Sequence, residues 1–283
     1  MTAASSAAVR HRTGLRQELR RIRAVARRDL YIEVSYQFRL AFHFVTIFAS
    51  AFLAFYVSQL VGDSDLLRQF EGGYFEYVVL GLALTSYATL GVASFTAHIT
   101  QEQSAGTLEV LLGGPTRLVT LLAGGFLVPL GLTTIEVALL VGVGVGWLGT
   151  GLSAAEVLLA VPVILLTVAN FCAMGIASAA IVLLVKRGDP ISGPLYQLTL
   201  LLSGAIFPVE LFPAWLEAIS RATPAYYGVR GVREAMLTQA GFAGIVDELA
   251  VLAAFAVVLL PAAVWLFAWS VAQSKRLGVL ASY

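Results

Sequence analysis

Six apolar stretches, each with at most one acidic, basic or histidine side chain, decide what this chain can fold into. A helix needs about 20 apolar residues to cross the hydrocarbon core of a bilayer. Residues 40–61, 77–98, 118–146, 157–185, 191–207 and 249–273 meet or approach that length, the fifth being the shortest. The remaining residues cannot rescue a soluble reading. Charged residues make up 12% of the chain and hydrophobic ones 59%, and a soluble domain carries roughly 25% charged residues. The sequence therefore predicts an all-α integral membrane protein with six transmembrane helices. It divides into a cytosolic arm (1–39), a transmembrane domain (40–273) and a short cytosolic tail (274–283).

Orientation follows from the flanking lysines and arginines, which accumulate on the cytosolic side. With the amino terminus inside, Arg10, Arg12, Arg16, Arg20, Arg21, Arg23, Arg27, Arg28, Arg39, Arg117, Lys186, Arg187, Lys275 and Arg276 are cytosolic. Only Arg68, Arg221, Arg230 and Arg233 then lie outside. Both termini are expected in the cytosol, in a multi-pass protein of the cytoplasmic membrane. No short apolar run with a cleavage site precedes the first span, so no cleaved secretory signal is expected.

Four connections carry further information. In the arm, Leu15, Leu19, Ile22, Val25 and Ala26 recur at three- and four-residue steps between arginines. That pattern fits an amphipathic helix on the inner leaflet, or a solvated basic tail drawn to anionic lipid. Residues 99–117, ITQEQSAGTLEVLLGGPTR, predict a short cytosolic helix with Glu102 and Glu109 on its charged side and Gly113, Gly114 and Pro115 as its stop. KRGDP at 186–190 predicts a tight turn. Residues 208–248 are too apolar for a solvated loop. They predict two short helices, about 213–221 and 226–237, able to re-enter the membrane where protein satisfies their backbone groups.

Several chemistries are missing from the sequence. The only lysines, Lys186 and Lys275, are each followed by arginine, so neither completes a phosphate-cradling Gly-Lys-Ser/Thr loop. No His-Glu-x-x-His pair or Gly-x-Ser-x-Gly elbow occurs. Cys172 is the single cysteine, and His11, His43 and His98 are scattered, so neither a disulfide nor a metal site is expected. No catalytic residue is predicted. Glu136, near the middle of the third span after Thr133 and Thr134, is an intramembrane carboxylate that either lines a cavity or gate or bonds a neighbouring helix.

Two of these connections also carry a resemblance. TQEQSAGTLEVLLGGPTR (100–117) resembles the first cytosolic loop of ABC-2-type exporter permeases through Glu102, Gly106, Thr107, Glu109, Leu111, Leu112 and Pro115. LLSGAIFPVELFPAWLEAISRATPAYYGVRGVREAML (201–237) is similar to that family's outer segment through Ser203, Gly204, Pro208, Pro213, Trp215, Pro224, Tyr227 and Arg233. ARRDL in the arm and the KRGDP turn resemble one branch of the same permeases. Gly113-Gly114 stands where many relatives carry a polar residue.

The resemblance implies a half-channel that dimerises with an identical or related chain, surrounded by membrane lipid, and docks a separate ABC ATP-binding subunit. MgATP then belongs to the partner, and this chain binds no cofactor or nucleic acid. It makes the 102–112 segment a coupling helix with Glu102, Gly106, Thr107, Glu109 and Leu112 at the ATPase. Lys186, Arg187 and Asp189 become a second cytosolic contact, and Pro208, Pro213, Trp215, Pro224, Tyr227 and Arg233 an outer gate. The implied activity is export of an amphipathic cargo such as a lipid, a lipid-linked glycan or a hydrophobic drug. The rival reading is an ion-driven transporter or channel that uses Glu136.

Overall fold

The computed structural model describes residues 37–61, 73–104, 106, 118–148, 154–185, 189, 191–238 and 241–276, with residues 23, 27, 30 and 31. Every regular element among them is helical. In chain order these are α1 (Gln37–Val61), α2 (Gly73–Ser104), α3 (Leu118–Leu148), α4 (Ala154–Val185) and α5 (Ser192–Leu202). A 3-10 turn (Val209–Leu211) follows, then α6 (Ala214–Arg221), α7 (Pro224–Leu237), α8 (Gly241–Gly244) and α9 (Val246–Arg276). Helices α2, α3, α4 and α9 are long and apolar enough to cross a membrane, and α1 holds a shorter apolar stretch at Phe48–Gln59.

The helix ends follow local chemistry. Proline occupies the first position of α7, where its missing N–H costs nothing. Asp247 and Glu248 sit in the first turn of α9 and Lys275 and Arg276 in its last, complementing the helix dipole at both ends. Helix α2 continues to Ser104, six residues beyond the predicted span. At 1.5 Å per residue its 32 residues reach about 48 Å, well past a hydrocarbon core of roughly 30 Å.

The fifth predicted span, 191–207, is helical only over Ser192–Leu202. Those 11 residues cover about 16 Å, roughly half the hydrocarbon core. Gly204 takes φ +71, a left-handed conformation that ends the helix. The apolar run Ala205, Ile206, Phe207 continues the hydropathy without continuing the helix. Hydropathy alone does not register a backbone reversal.

Helix α4 is the hub, packing against α2, α7 and α9. One buried cluster joins the first half of α2 to α4, α7 and the start of α9, with Leu84, Val163, Phe171, Val229 and Leu252 at its centre. A second joins Phe95 and Ile99 of α2 to Ala179 and Leu183 of α4 and Phe267 of α9. Helices α2 and α4 cross with their backbones in contact. A Cβ on Gly91 would lie 2.5 Å from Phe171 Cβ, and one on Gly175 would overlap the Gly91 carbonyl. Polar groups bridge the apolar packing: Asn170 Nδ2 donates to Leu252 O at 3.0 Å and Ser270 Oγ to Ala180 O at 2.6 Å. Such interhelical bonds satisfy donors that lipid leaves unmet.

The opposite faces are bare and apolar. Val257, Val258, Trp265 and Trp269 of α9, Leu158 and Leu165 of α4, and Phe48, Phe52 and Leu53 of α1 are exposed. A soluble protein would not tolerate such stripes. Lipid does.

Candidate functional site

The break after α5 has to satisfy its own backbone groups, and Arg233 of α7 does much of this. The guanidinium is buried, with 5% of the residue exposed. Its Nη1 donates to Gly204 O at 3.0 Å, and its Nη2 to Ala205 O and to Tyr77 O, each at 2.8 Å. Nε reaches the same Tyr77 carbonyl at 3.2 Å, while the guanidinium carbon lies 3.3 Å from the centre of the Tyr77 ring. A planar, permanently charged fork with five N–H groups suits three carbonyls in one region, and a lysine does not.

Other side chains complete the seal. Tyr77 donates its hydroxyl to Gly204 O at 3.1 Å and Tyr74 to Ile206 O at 3.4 Å. Ser220 of α6 donates to Leu202 O, and Ser203 Oγ accepts from Ala205 N at 3.2 Å. On α2, Gly81 lies one turn beyond Tyr77, and a Cβ there would overlap the Ala205 carbonyl. Irregular backbone at membrane depth is tolerated when protein covers it in this way. Helices α2, α5, α6 and α7 are thereby tied at one point.

Beside this knot lies a cavity of about 370 Å³, lined in part by Tyr77, Glu210, Arg221, Tyr226, Arg230 and Glu234. The residues predicted for the outer segment divide around it. Arg233 lines the cavity, Pro208 and Pro224 are buried at helix starts, Tyr227 is half-buried, and Pro213 and Trp215 are exposed. The indole of Trp215 at 66% exposure suits a membrane interface, where amphipathic rings collect. Sequence reasoning missed Tyr77 and Gly81. An aromatic and a glycine four residues apart share one helix face, a usable signal for a site of backbone approach.

At the other end of α2, Glu102 is half-buried near the helix terminus, and Gly106 takes φ +68 with its N–H donating to Gln103 O at 3.1 Å. This left-handed turn ends the long helix. Thr107, Glu109 and Leu112 lie outside the described residues, as do Lys186 and Arg187. Asp189 is described and organises the start of α5. Its Oδ1 accepts from Ile191 N at 3.2 Å and Ser192 N at 2.9 Å, and its Oδ2 accepts from Ser192 Oγ. Partial burial works against the charged carboxylate, but hydrogen bonds from Ser192, Thr96 and Ile191 outweigh it and hold the group below its ordinary value. The arm residues Leu15, Leu19, Ile22, Val25 and Ala26 also lie outside the described set. Arg23, Arg27, Leu30 and Tyr31 are helical.

Glu136 of α3 is half-buried and accepts from Ser86 Oγ of α2 at 3.3 Å. Beside it Tyr87 donates to Thr134 Oγ1, also at 3.3 Å. The contact ties two helices, and Thr134 itself is exposed. Gly142 of α3 has no neighbour within 4 Å of an added Cβ. No group of three or more metal-ligating side chains occurs among the described residues.

A comparison with protein families matches residues 20–237 to the family described as ABC-2 type transporter. No curated protein matches the chain.

Proposed function

This chain belongs to the ABC-2 type transporter family, and from that premise we propose that it is the permease subunit of an ATP-driven exporter in the cytoplasmic membrane. The cargo is amphipathic: a lipid, a lipid-linked glycan or a hydrophobic drug. A separate ABC subunit binds and hydrolyses MgATP, and two permease chains, identical or related, form the translocation unit. The first five apolar stretches and α9 make six membrane passages, the fifth short and continued by the sealed break, with α6 and α7 as a re-entrant pair. Both termini face the cytosol.

The extent of the family match carries the reading. It runs from the arm to the last residue of α7, so it takes in both characteristic connections and every passage but the last. The length of α2 supports it. A helix about 18 Å longer than the hydrocarbon core carries Glu102 beyond the bilayer and presents the segment after Gly106 to a partner. Glu102, Gly106, Thr107, Glu109 and Leu112 form the coupling contact in this reading, with Lys186, Arg187 and Asp189 beside them. The knot at Arg233 makes the α6–α7 pair move with α2, which offers a mechanical route from ATPase to outer gate. Pro208, Pro213, Trp215, Pro224 and Tyr227 shape that gate. ATP drives export only if its binding favours one conformation by differential contacts, and a docked helix supplies them.

Glu109→Lys tests the coupling. Coupling free energies of about 1–3 kcal/mol set the expected loss of cargo-stimulated ATP hydrolysis at roughly five- to hundredfold, with membrane insertion and dimer assembly unchanged. Transport at the parent rate in proteoliposomes removes Glu109 from the mechanism.

A further inference from the structure

At the start of the last helix the charges do not balance. Arg230 of α7 holds Glu234 one turn on, Nε to Oε1 at 2.7 Å, and reaches Glu248 Oε1 at 3.3 Å. Glu248 stands in the first turn of α9 with 3% of its surface exposed. It is seated over Gly231, where an added Cβ would lie 3.1 Å from Glu248 Cβ and 3.0 Å from Val163 Cγ1 of α4. The glycine notch lets a carboxylate from α9 descend onto α7. Both carboxylates thus stand against the same guanidinium nitrogen, and Glu248 Oε2 is buried with no donor among the described residues.

Arg221 of α6, which lines the same cavity as Arg230 and Glu234, is paired with Glu217, and no other described side chain brings a second cation to the pair. On α7, Tyr226 lines the same cavity as Arg230, and Arg233 directs its donors to Tyr77, Gly204 and Ala205. On α9, Asp247 is exposed and adds only negative charge. On α4 the residue facing the notch is Val163, and the charged residue of its first turn, Glu156, is also acidic. Helix α8, GFAG, has no ionisable side chain. Two carboxylates sharing one guanidinium leave one negative charge nearly closed to water, and adjacent carboxyls of this kind do not both ionise. A metal ion is a poor remedy, because the guanidinium already stands against both carboxylates and repels it.

We propose that Glu234 and Glu248 together form a one-proton binding site that clasps the α6–α7 pair to the last helix. The proton neutralises one of the two carboxylates, while Arg230 balances the remaining charge. When it leaves, two carboxylates face one arginine and repel, so the clasp loosens as pH rises. That the site senses the outside rests on the orientation proposed above. Proton binding itself does not.

The test is infrared spectroscopy of the full chain in detergent across a pH series, read at the carbonyl stretch of a protonated carboxyl. Wild type minus Glu248→Gln and wild type minus Glu234→Gln should both show that band at acidic pH and lose it over one shared titration. Each single variant leaves one carboxylate against Arg230, so the step shared by the pair should disappear. Arg230→Gln should move the wild-type titration to higher pH, since the guanidinium favours the ionised form. The folded state binds the extra proton, so the wild-type unfolding temperature should fall as pH rises through the same range. In Glu248→Gln that slope should flatten. No such band in either wild-type-minus-variant difference at any pH, or two differences that titrate separately, overturns the proposal. If a variant fails to fold, the wild-type and Arg230→Gln titrations decide alone: no wild-type titration, or one unmoved in Arg230→Gln, refutes it. Because the isolated chain is measured, the result is independent of whether an ATPase partner is found.

Discussion

Arg233→Met is expected to remove most of the folded protein. The substitution keeps the length and apolarity of the stem but withdraws four hydrogen bonds from the carbonyls of Tyr77, Gly204 and Ala205. Gly204 O keeps a donor in the Tyr77 hydroxyl. Ala205 O has no other side-chain donor among the described residues and packs against Gly81, where water has no room. Each buried polar group left without a partner costs about 1–3 kcal/mol, and the lost stacking on Tyr77 adds about 1–2 kcal/mol in a desolvated site. A total of about 2–5 kcal/mol is a large fraction of the whole stability of many domains. Arg233→Lys should recover only part of the loss, because one ammonium cannot address three carbonyls in the plane of a fork. Thermal unfolding followed by size-exclusion recovery measures it. Parent-like recovery of Arg233→Met would show that the break is held by apolar packing instead.

Gly175→Leu is expected to separate α2 from α4. The two helices meet backbone to backbone at Gly91 and Gly175, so a side chain at either position strikes a carbonyl or a neighbouring Cβ rather than the flexible end of a side chain. Overpacking commonly costs about 1–3 kcal/mol. Here Gly175→Ala already reaches that range, because relief requires moving a helix that also carries α7 and α9, and leucine exceeds it. Gly131→Ala is the contrast, since nothing lies within 4 Å of its added Cβ. Alanine there should be neutral or stabilise by about 0.5–1 kcal/mol through helix propensity. Equal unfolding temperatures for the two alanine variants would contradict the crossing geometry.

Much of this arrangement was legible in the sequence, and the remainder was hidden for identifiable reasons. The first four apolar runs became helices within a few residues of their expected ends because lipid-length apolarity admits little else. The two short helices after the fifth run stand close to their expected ranges, although Pro224, expected between them, opens the second. The length of α2 was underestimated because polarity begins at His98, yet Gln101, Glu102 and Gln103 are good helix formers and nothing stops the helix before Gly106. The fifth run was overextended for the opposite reason: apolarity continues through Phe207 while Gly204 has already turned the backbone.

Site residues were harder to read. Arg233 was recognisable as family punctuation, but its partners are main-chain carbonyls, which have no sequence signature. Glu248 lies just outside the last predicted span, and its burial depends on a notch at Gly231, seventeen positions earlier. Glu136 stood out as an isolated charge. Its partner Ser86 was one hydroxyl among many in an apolar span.

The central claim is that this chain works as the permease of an ATP-driven complex. The most direct measurement is purification of the tagged chain from its native membrane in mild detergent, with mass spectrometry of the complex and an assay of ATP hydrolysis. The account predicts a stoichiometric nucleotide-binding subunit that is lost on deleting residues 106–112, with ATPase activity lost alongside it. A chain that purifies without an ATPase and sustains proton-linked transport, abolished by Glu136→Gln, would contradict it.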